Sequence, residues 1–233
     1  MLQRMDEGRA VAVIVAAGSG TRLRDRGPKA LLAIGGRPML VVAIEQALAS
    51  PSIASAVVAA PPGYEDEARA MVATHGESVV VVTGRRSRQG SVAAAVAVVG
   101  RGADVVAVHD AARPFASPAL FSAVVAAVLA GADAAVPVLP LVDTVKRVRD
   151  GSIVGTELRE ELALAQTPQA CRVQRLRDAL AKADEAGLEF TDDAGLLEWA
   201  GVAVRTVAGE LGNFKITTAA DLSRADEILG RRG

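Results

Sequence analysis

The stretch VAVIVAAGSGTRLRDRGPK, Val11 to Lys29, decides the fold. Its first seven residues are apolar and run straight into Gly18-Ser19-Gly20, after which come Arg22, Arg24, Arg26 and Lys29. A β-branched run with no polar alternation is apolar on both faces, so it suits a strand covered by helices on each side. Glycines directly after such a strand make a tight βα turn. Its backbone N–H groups point into the crevice at the strand ends, and an anion can approach them closely. Arg22 and Lys29 flank a nest of phosphate size, and Pro28 sets the backbone before the lysine. Arg24 and Arg26 read equally well as a solvated basic loop. Spacing excludes two other loops. A dinucleotide fingerprint needs glycine at position 23, where Leu23 stands, and no Gly-Lys completes a Walker A motif.

The same texture recurs. Apolar runs at 55–61, 79–83, 105–110 and 134–140 alternate with helix-like stretches at 39–50, 64–76, 88–100 and 117–131. That alternation predicts repeated βαβ units and a doubly wound, mostly parallel α/β sheet. After Pro140 the character changes. DTVKRVRDGSIVGTELRE (143–160) places Asp150-Gly151 between two short polar arms, a hairpin signal. A lone hairpin is marginal in water, so this arm, at about 143–163, is expected to pack on a second copy of the chain. Beyond it, TPQ (167–169) is expected to lead into a helix to about Glu185. Thr191-Asp192-Asp193 caps another helix, VAVRTVAG is a late strand, and 217–230 forms a last helix. The chain reads as one domain, 1–233, with an arm.

Bulk properties narrow the function classes. The 233 residues carry a net charge of −1, which argues against a nucleic-acid or acidic-membrane partner, so any anion site is local. The segment Pro118–Val142 has one charge in 25 residues, but Gly131, Pro137 and Pro140 break it, and no membrane span is expected. At the N-terminus, Asp6 and Glu7 stand where a signal peptide is basic. The single Cys171 excludes an internal disulfide and fits a reducing, cytoplasmic setting. There is no G-x-S-x-G elbow and no Cys/His zinc spacing. Asp110 ends an apolar strand, where open α/β sheets place their ligands; its structural alternative is a helix cap. His109 is expected to be packed beneath the sheet edge.

AAGSGTRL followed by PKALLAIGGRPML resembles the opening of nucleotidyltransferases that join a nucleoside triphosphate to a sugar-like phosphate. VHDAARPF (108–115), VDTVKRV (142–148), QTPQ (166–169), TDDA (191–194) and NFKITT (213–218) follow in an order similar to that of the 2-C-methyl-D-erythritol 4-phosphate cytidylyltransferase family. The resemblance implies a Rossmann-like nucleotidyltransferase fold with a protruding hairpin, and a homodimer in which each arm completes the partner's site. It implies transfer of CMP from CTP to the polyol phosphate, with Mg²⁺ and loss of pyrophosphate. Arg22, Lys29, Arg159 and Lys215 match the catalytic cations. Ala16, Ala17, Gly18, Ser19, Gly20, Gly84, Ser91 and Asp110 match the nucleotide site. Asp110, Arg113, Thr144, Arg159, Thr167 and Lys215 match the substrate contacts, and Asp110 matches the metal ligand. A ribitol 5-phosphate cytidylyltransferase, or a nucleotide-binding paralogue without activity, would share much of this pattern. One departure concerns the base-binding loop TGRRSRQGS (83–91), where Arg85 and Arg86 replace small or acidic residues. Side-chain selectivity for the base is therefore not expected from this loop.

Overall fold

The computed structural model describes residues 10–17 and 27–230. Gly18, Ser19, Gly20 and Arg22 lie outside the described residues. From the N-terminus, β1 (Ala10–Val15) is followed by the short pair β2 (Ala33–Ile34) and β3 (Arg37–Pro38), then α1 (Met39–Leu48), β4 (Ile53–Ala60) and α2 (Glu65–Val72). Next come β5 (Val79–Thr83), α3 (Arg88–Ala97), β6 (Val105–Asp110), α4 (Pro118–Leu129) and β7 (Ala134–Pro140). The arm carries β8 (Lys146–Arg149) and β9 (Ser152–Thr156). After it run β10 (Ala163–Ala165), β11 (Gln169–Arg172), α5 (Val173–Ala186), α6 (Asp193–Trp199), β12 (Val204–Ala208) and α7 (Ala219–Gly230).

The main sheet has the order β10-β7-β11-β6-β1-β4-β5, with β12 also on β7. β1 pairs in parallel with both β4 and β6, and β5 and β12 also join in parallel. The antiparallel members are β10 and β11. β1 shows why this strand is central. Ala10, Ala12 and Ile14 face the layer of α1 and α4, while Val11, Val13 and Val15 face α3, α5 and α6. Both faces are dry because the strand carries no polar residue. Each fully buried Val or Ile contributes about 1.5–3 kcal/mol.

Local signals set the helix starts. Ser117 accepts the Leu120 N–H at 3.1 Å with Pro118 in the first turn, Ser87 accepts the Gly90 N–H at 3.1 Å, and Asp192 accepts the Gly195 N–H at 3.0 Å. The hairpin turn is as expected: Asp150 and Gly151 both have positive φ, 48° and 77°, matching the twist of the flanking strands. One expectation needs correction. TPQ does not lead directly into a helix; β11 intervenes and lies antiparallel between β6 and β7. With four residues, of which Ala170 faces one layer and Cys171 the other, it is too short for a period to show.

Candidate active site

The carboxyl ends of β1, β4 and β6 converge, and the chain segments leaving them are stitched together. The Ala16 N–H donates to the Ala59 carbonyl at 3.0 Å, that of Ala111 to Val15 at 3.1 Å, and that of Gly84 to Ala60 at 2.8 Å. Gly84 is required by close approach. A Cβ there would come within 2.4 Å of the Ala17 Cβ and 2.7 Å of the Ala60 oxygen. The Gly84 turn therefore rests against Ala17. Ser91 is buried against the same turn, its Oγ 3.2 Å from where a Gly84 Cβ would sit. Its hydroxyl accepts the Arg85 N–H at 2.9 Å and donates to the Ser87 carbonyl at 2.8 Å, so it shapes the loop and does not line the cleft.

The cleft itself, of about 720 Å³, is lined by Ala16 and Ala17, Lys29, the Arg86–Arg88 turn, Asp110, the Glu189–Thr191 segment and Lys215. Four of its described charged side chains are cationic (Lys29, Arg86, Arg88, Lys215), against the carboxylates of Asp110 and Glu189. On an otherwise nearly neutral chain, this is a local excess of cationic side chains.

Asp110 forms the floor. Arg88 Nε donates to its Oδ1 at 3.0 Å, and Lys215 Nζ to its Oδ2 at 2.7 Å. The other end of the guanidinium, Nη2, donates to Asp193 Oδ2 at 2.7 Å. Burial alone would raise the Asp110 pKa, but Arg88 and Lys215 outweigh it and hold the carboxyl well below the usual carboxylate range. Burial raises Asp193, which is only 3% exposed, and Arg88 opposes that shift. Arg88 loses hydration but gains two carboxylates, and it stays charged.

Below the floor lies a hydrogen-bond chain whose direction can be deduced. The Asp110 N–H donates to Thr167 Oγ1 at 3.1 Å; the Arg113 carbonyl can only accept from His109 Nε2, so Nδ1 of the neutral ring takes the Thr167 proton at 3.0 Å. His109 then carries its own proton on Nε2 and donates to the Arg113 carbonyl at 3.0 Å. Burial pushes the His109 pKa down to about 4, so the ring is neutral near pH 7. His109 packs as expected, edge-on to Phe121 with centroids 5.0 Å apart, and in addition it holds the Asp110–Arg113 turn. Arg113 is not among the residues lining the cleft and donates from Nη1 to the Asn213 carbonyl at 2.8 Å. Asn213 Nδ2 donates to the Thr167 carbonyl at 2.8 Å, and Gln166 grips Glu210 from both sides. This network anchors the loop that carries Lys215.

Among the predicted site residues, the structure therefore brings Ala16, Ala17, Lys29, Asp110 and Lys215 into one cleft, with Gly84, Ser91, Arg113 and Thr167 as its supports. Thr144 and Arg159 stand apart on the exposed arm, where Arg159 donates to the Val142 carbonyl at 2.6 Å and pairs with Glu160. Sequence reasoning missed Arg88, which looked like one arginine among three, and the ion-pairing role of Asp193, which looked like an acidic first turn. It also missed Phe190. The TDDA motif and the base-binding loop TGRRSRQGS, which holds Arg88, were the only hints.

A cleft lined mostly by cationic side chains at the carboxyl edge of a doubly wound sheet, with an ionised aspartate at its floor, fits the nucleotidyltransferase class of α/β enzymes. Residues 10–231 match the family model described as IspD, 2-C-methyl-D-erythritol 4-phosphate cytidylyltransferase. The chain is 46% identical over 224 residues to the enzyme of that name from Frankia casuarinae, covering 96% of this chain and 82% of that one. It is 43% identical over 228 residues to the one from Rhodococcus opacus, covering 97% and 98%. The crystal structure of the Thermus thermophilus enzyme superposes with a TM-score of 0.80 at 36% identity, over 94% of this chain and 98% of that one. The chain belongs to the 2-C-methyl-D-erythritol 4-phosphate cytidylyltransferase family, and its reaction is the cytidylyl transfer of isoprenoid precursor synthesis.

Proposed function

We propose that the cleft carries out this transfer as a positioning and charge-neutralising site, without a covalent enzyme intermediate. A phosphate oxygen of methylerythritol phosphate attacks the α-phosphorus of CTP, forming a P–O bond as the bond to pyrophosphate breaks. The observation that carries this reading is Asp110 bridged by Arg88 and Lys215 in the same cleft as Lys29 and the Ala16–Ala17 backbone. Chemistry of this kind needs alignment and compensation of charge more than a nucleophile. Lys29 faces the phosphates, and Lys215, held by Asp110, meets the incoming phosphate. Arg22 is assigned beside Lys29 by its motif.

Mg²⁺ is part of the proposal. Among the described residues there is no cluster of three or more His, Cys, Asp or Glu side chains able to cage a metal. Asp110 uses one acceptor site on each oxygen and keeps further lone pairs toward the cleft. A single carboxylate with substrate phosphates as the other ligands is a donor set that fits Mg²⁺. Bound there, the ion would supply charge neutralisation for the triphosphate.

The proposal also includes a homodimer in which Thr144 and Arg159 reach the partner's cleft. Arg159 has no cleft of its own within reach of a described contact, and its arm exposes Val142, Ile153 and Leu158 at 81%, 66% and 66%. The lone buried Cys171 suits a reducing cytoplasm. Among the described residues, no helix is long and apolar enough to cross a membrane.

Pyrophosphate release from CTP, Mg²⁺ and methylerythritol phosphate tests the reading, with ribitol 5-phosphate as the competing acceptor. Preference for ribitol 5-phosphate would replace the acceptor, and CTP binding without turnover would reduce the protein to a nucleotide binder. Arg22→Ala and Arg159→Ala proteins, each inactive alone, are expected to recover activity when mixed. No recovery after confirmed subunit exchange would refute shared sites.

A further inference from the structure

One wall of the cleft is formed by a strap without secondary structure, Leu188 to Thr191, between α5 and α6. Its ends are fixed. The Leu188 N–H donates to the Ala183 carbonyl at 2.9 Å, closing α5 after Gly187, and at the far side Asp192 caps α6 while Asp193 pairs with Arg88. Between those ends, the hydrogen bonds described for the strap's backbone come from a single side chain. Gln89, in the first turn of α3, donates from Nε2 to the Leu188 carbonyl at 3.0 Å, and its Oε1 accepts the Phe190 N–H, also at 3.0 Å. The carboxamide thus substitutes for a neighbouring strand, offering one donor and one acceptor to alternate backbone groups. These contacts join residues 99 and 101 positions apart in sequence.

We infer that Gln89 is a positioning residue for nucleotide binding: its carboxamide holds the Leu188–Thr191 strap in place as a wall of the cleft. The inference rests on the reading of the cleft as the CTP site. Three observations support it. Glu189, Phe190 and Thr191 line the cleft beside Ser87 and Arg88, so displacement of the strap changes the cleft's width directly. Consecutive side chains of α3 take hold of both ends of the segment, Gln89 at 188 and 190 and Arg88 at 193. Finally, Leu188, Glu189 and Thr191 are exposed, and the strap's packing rests on Phe190 alone, which lies against the α3/α6 core layer and 5.4 Å from Trp199. Gln89 belongs to the same TGRRSRQGS loop in which Arg85 and Arg86 leave base selectivity unexplained. A wall set by backbone contacts supplies shape where side-chain readout is missing.

A wall acts on the nucleotide before and during reaction alike, so it governs KM and leaves kcat nearly untouched. Gln89→Met removes both hydrogen bonds at nearly constant volume. It is expected to raise KM for CTP about tenfold, the loss of about 1.4 kcal/mol of binding, with kcat within about twofold. KM for methylerythritol phosphate should not change. Trp199, the only tryptophan, stacks on Phe190 and reports strap position by its emission, which is expected to shift in Gln89→Met. Gln89→Ala should reproduce both changes, and circular dichroism confirms folding. A Gln89→Met enzyme with wild-type KM for CTP overturns the inference, as does a fall in kcat at constant KM. A wild-type enzyme that does not turn over CTP would instead overturn the reading of the cleft itself.

Discussion

The cleft and the arm are built on opposite terms. Around the cleft, side chains far apart in sequence satisfy one another. Arg88 joins residues 22 and 105 positions away, and Gln166, Thr167 and Asn213 close a buried network across 46 and 47 positions. On the arm, contacts are local: Lys146 to Thr156, Arg147 to Glu157 and Arg159 to Glu160, with apolar side chains left facing outward. The first region makes its interactions within one chain, with Arg113 Nε and Asn213 Oδ1 left without a hydrogen-bond partner among the described residues, and so can hold a charged constellation rigid. The second has a register but no cover. Exposed apolar area of that kind is what the proposed second copy would cover.

The contrast breaks most sharply at Arg88. Arg88→Met leaves Asp193 buried without its cation, and removing one member of a buried pair costs about 3–5 kcal/mol; urea unfolding should show that loss, and a loss below about 1 kcal/mol would mean the bridge is not structural. Lys29→Ala tests the chemical side of the cleft. By analogy with deleting one oxyanion-hole donor it should add about 2.7–4 kcal/mol to the barrier, with kcat falling 10²–10³-fold. For the arm, Ile153→Asp places an unpaired charge where the partner is proposed to sit. It should weaken the dimer by about 1–3 kcal/mol and show by light scattering, with the monomer's melting point unchanged. A protein that is monomeric at every concentration before mutation would end the arm's proposed role.

The smallest effect expected is at the head of α7. Asp221 accepts the Thr217 and Thr218 N–H groups at 2.8 Å each and the Thr217 hydroxyl at 2.8 Å, and the backbone bond from Thr217 leads in lowering its pKa from 3.8 to about 2. A depressed folded-state pKa contributes stability that is fully present above the unfolded value. That contribution disappears as pH falls through the folded one. Asp221→Ala should therefore cost up to about 1 kcal/mol at neutral pH, since the group is only half-buried and is screened by solvent. The gap from wild type should close between about pH 4 and pH 2. A gap independent of pH would assign the effect to helix propensity instead.

Much of the scaffold was legible because the cues are local. The runs at Val11, Ser55, Val79, Val105 and Ala134 are strands within a residue or two, Asp150-Gly151 is the hairpin turn, and Asp192 caps its helix. Of the site, Asp110 and Lys29 could be picked out by their place after strands. Arg88, Gln89, Asp193 and Phe190 could not. A guanidinium that will bridge two carboxylates looks, in sequence, like any surface arginine, and β11 is too short to show a period.

What the amino-acid order determined by itself is the alternation of buried strands and capped helices, because burial on both faces and end-capping depend on residues within a turn or two. Only the tertiary structure decided which charges meet. Ion pairing acts over a few ångströms, and those distances are set by how strands 20 to 100 residues apart are laid side by side: β6 against β1 brings Asp110 beside the Ala16 turn, and α6 against α5 and β7 carries Asp193 to Arg88.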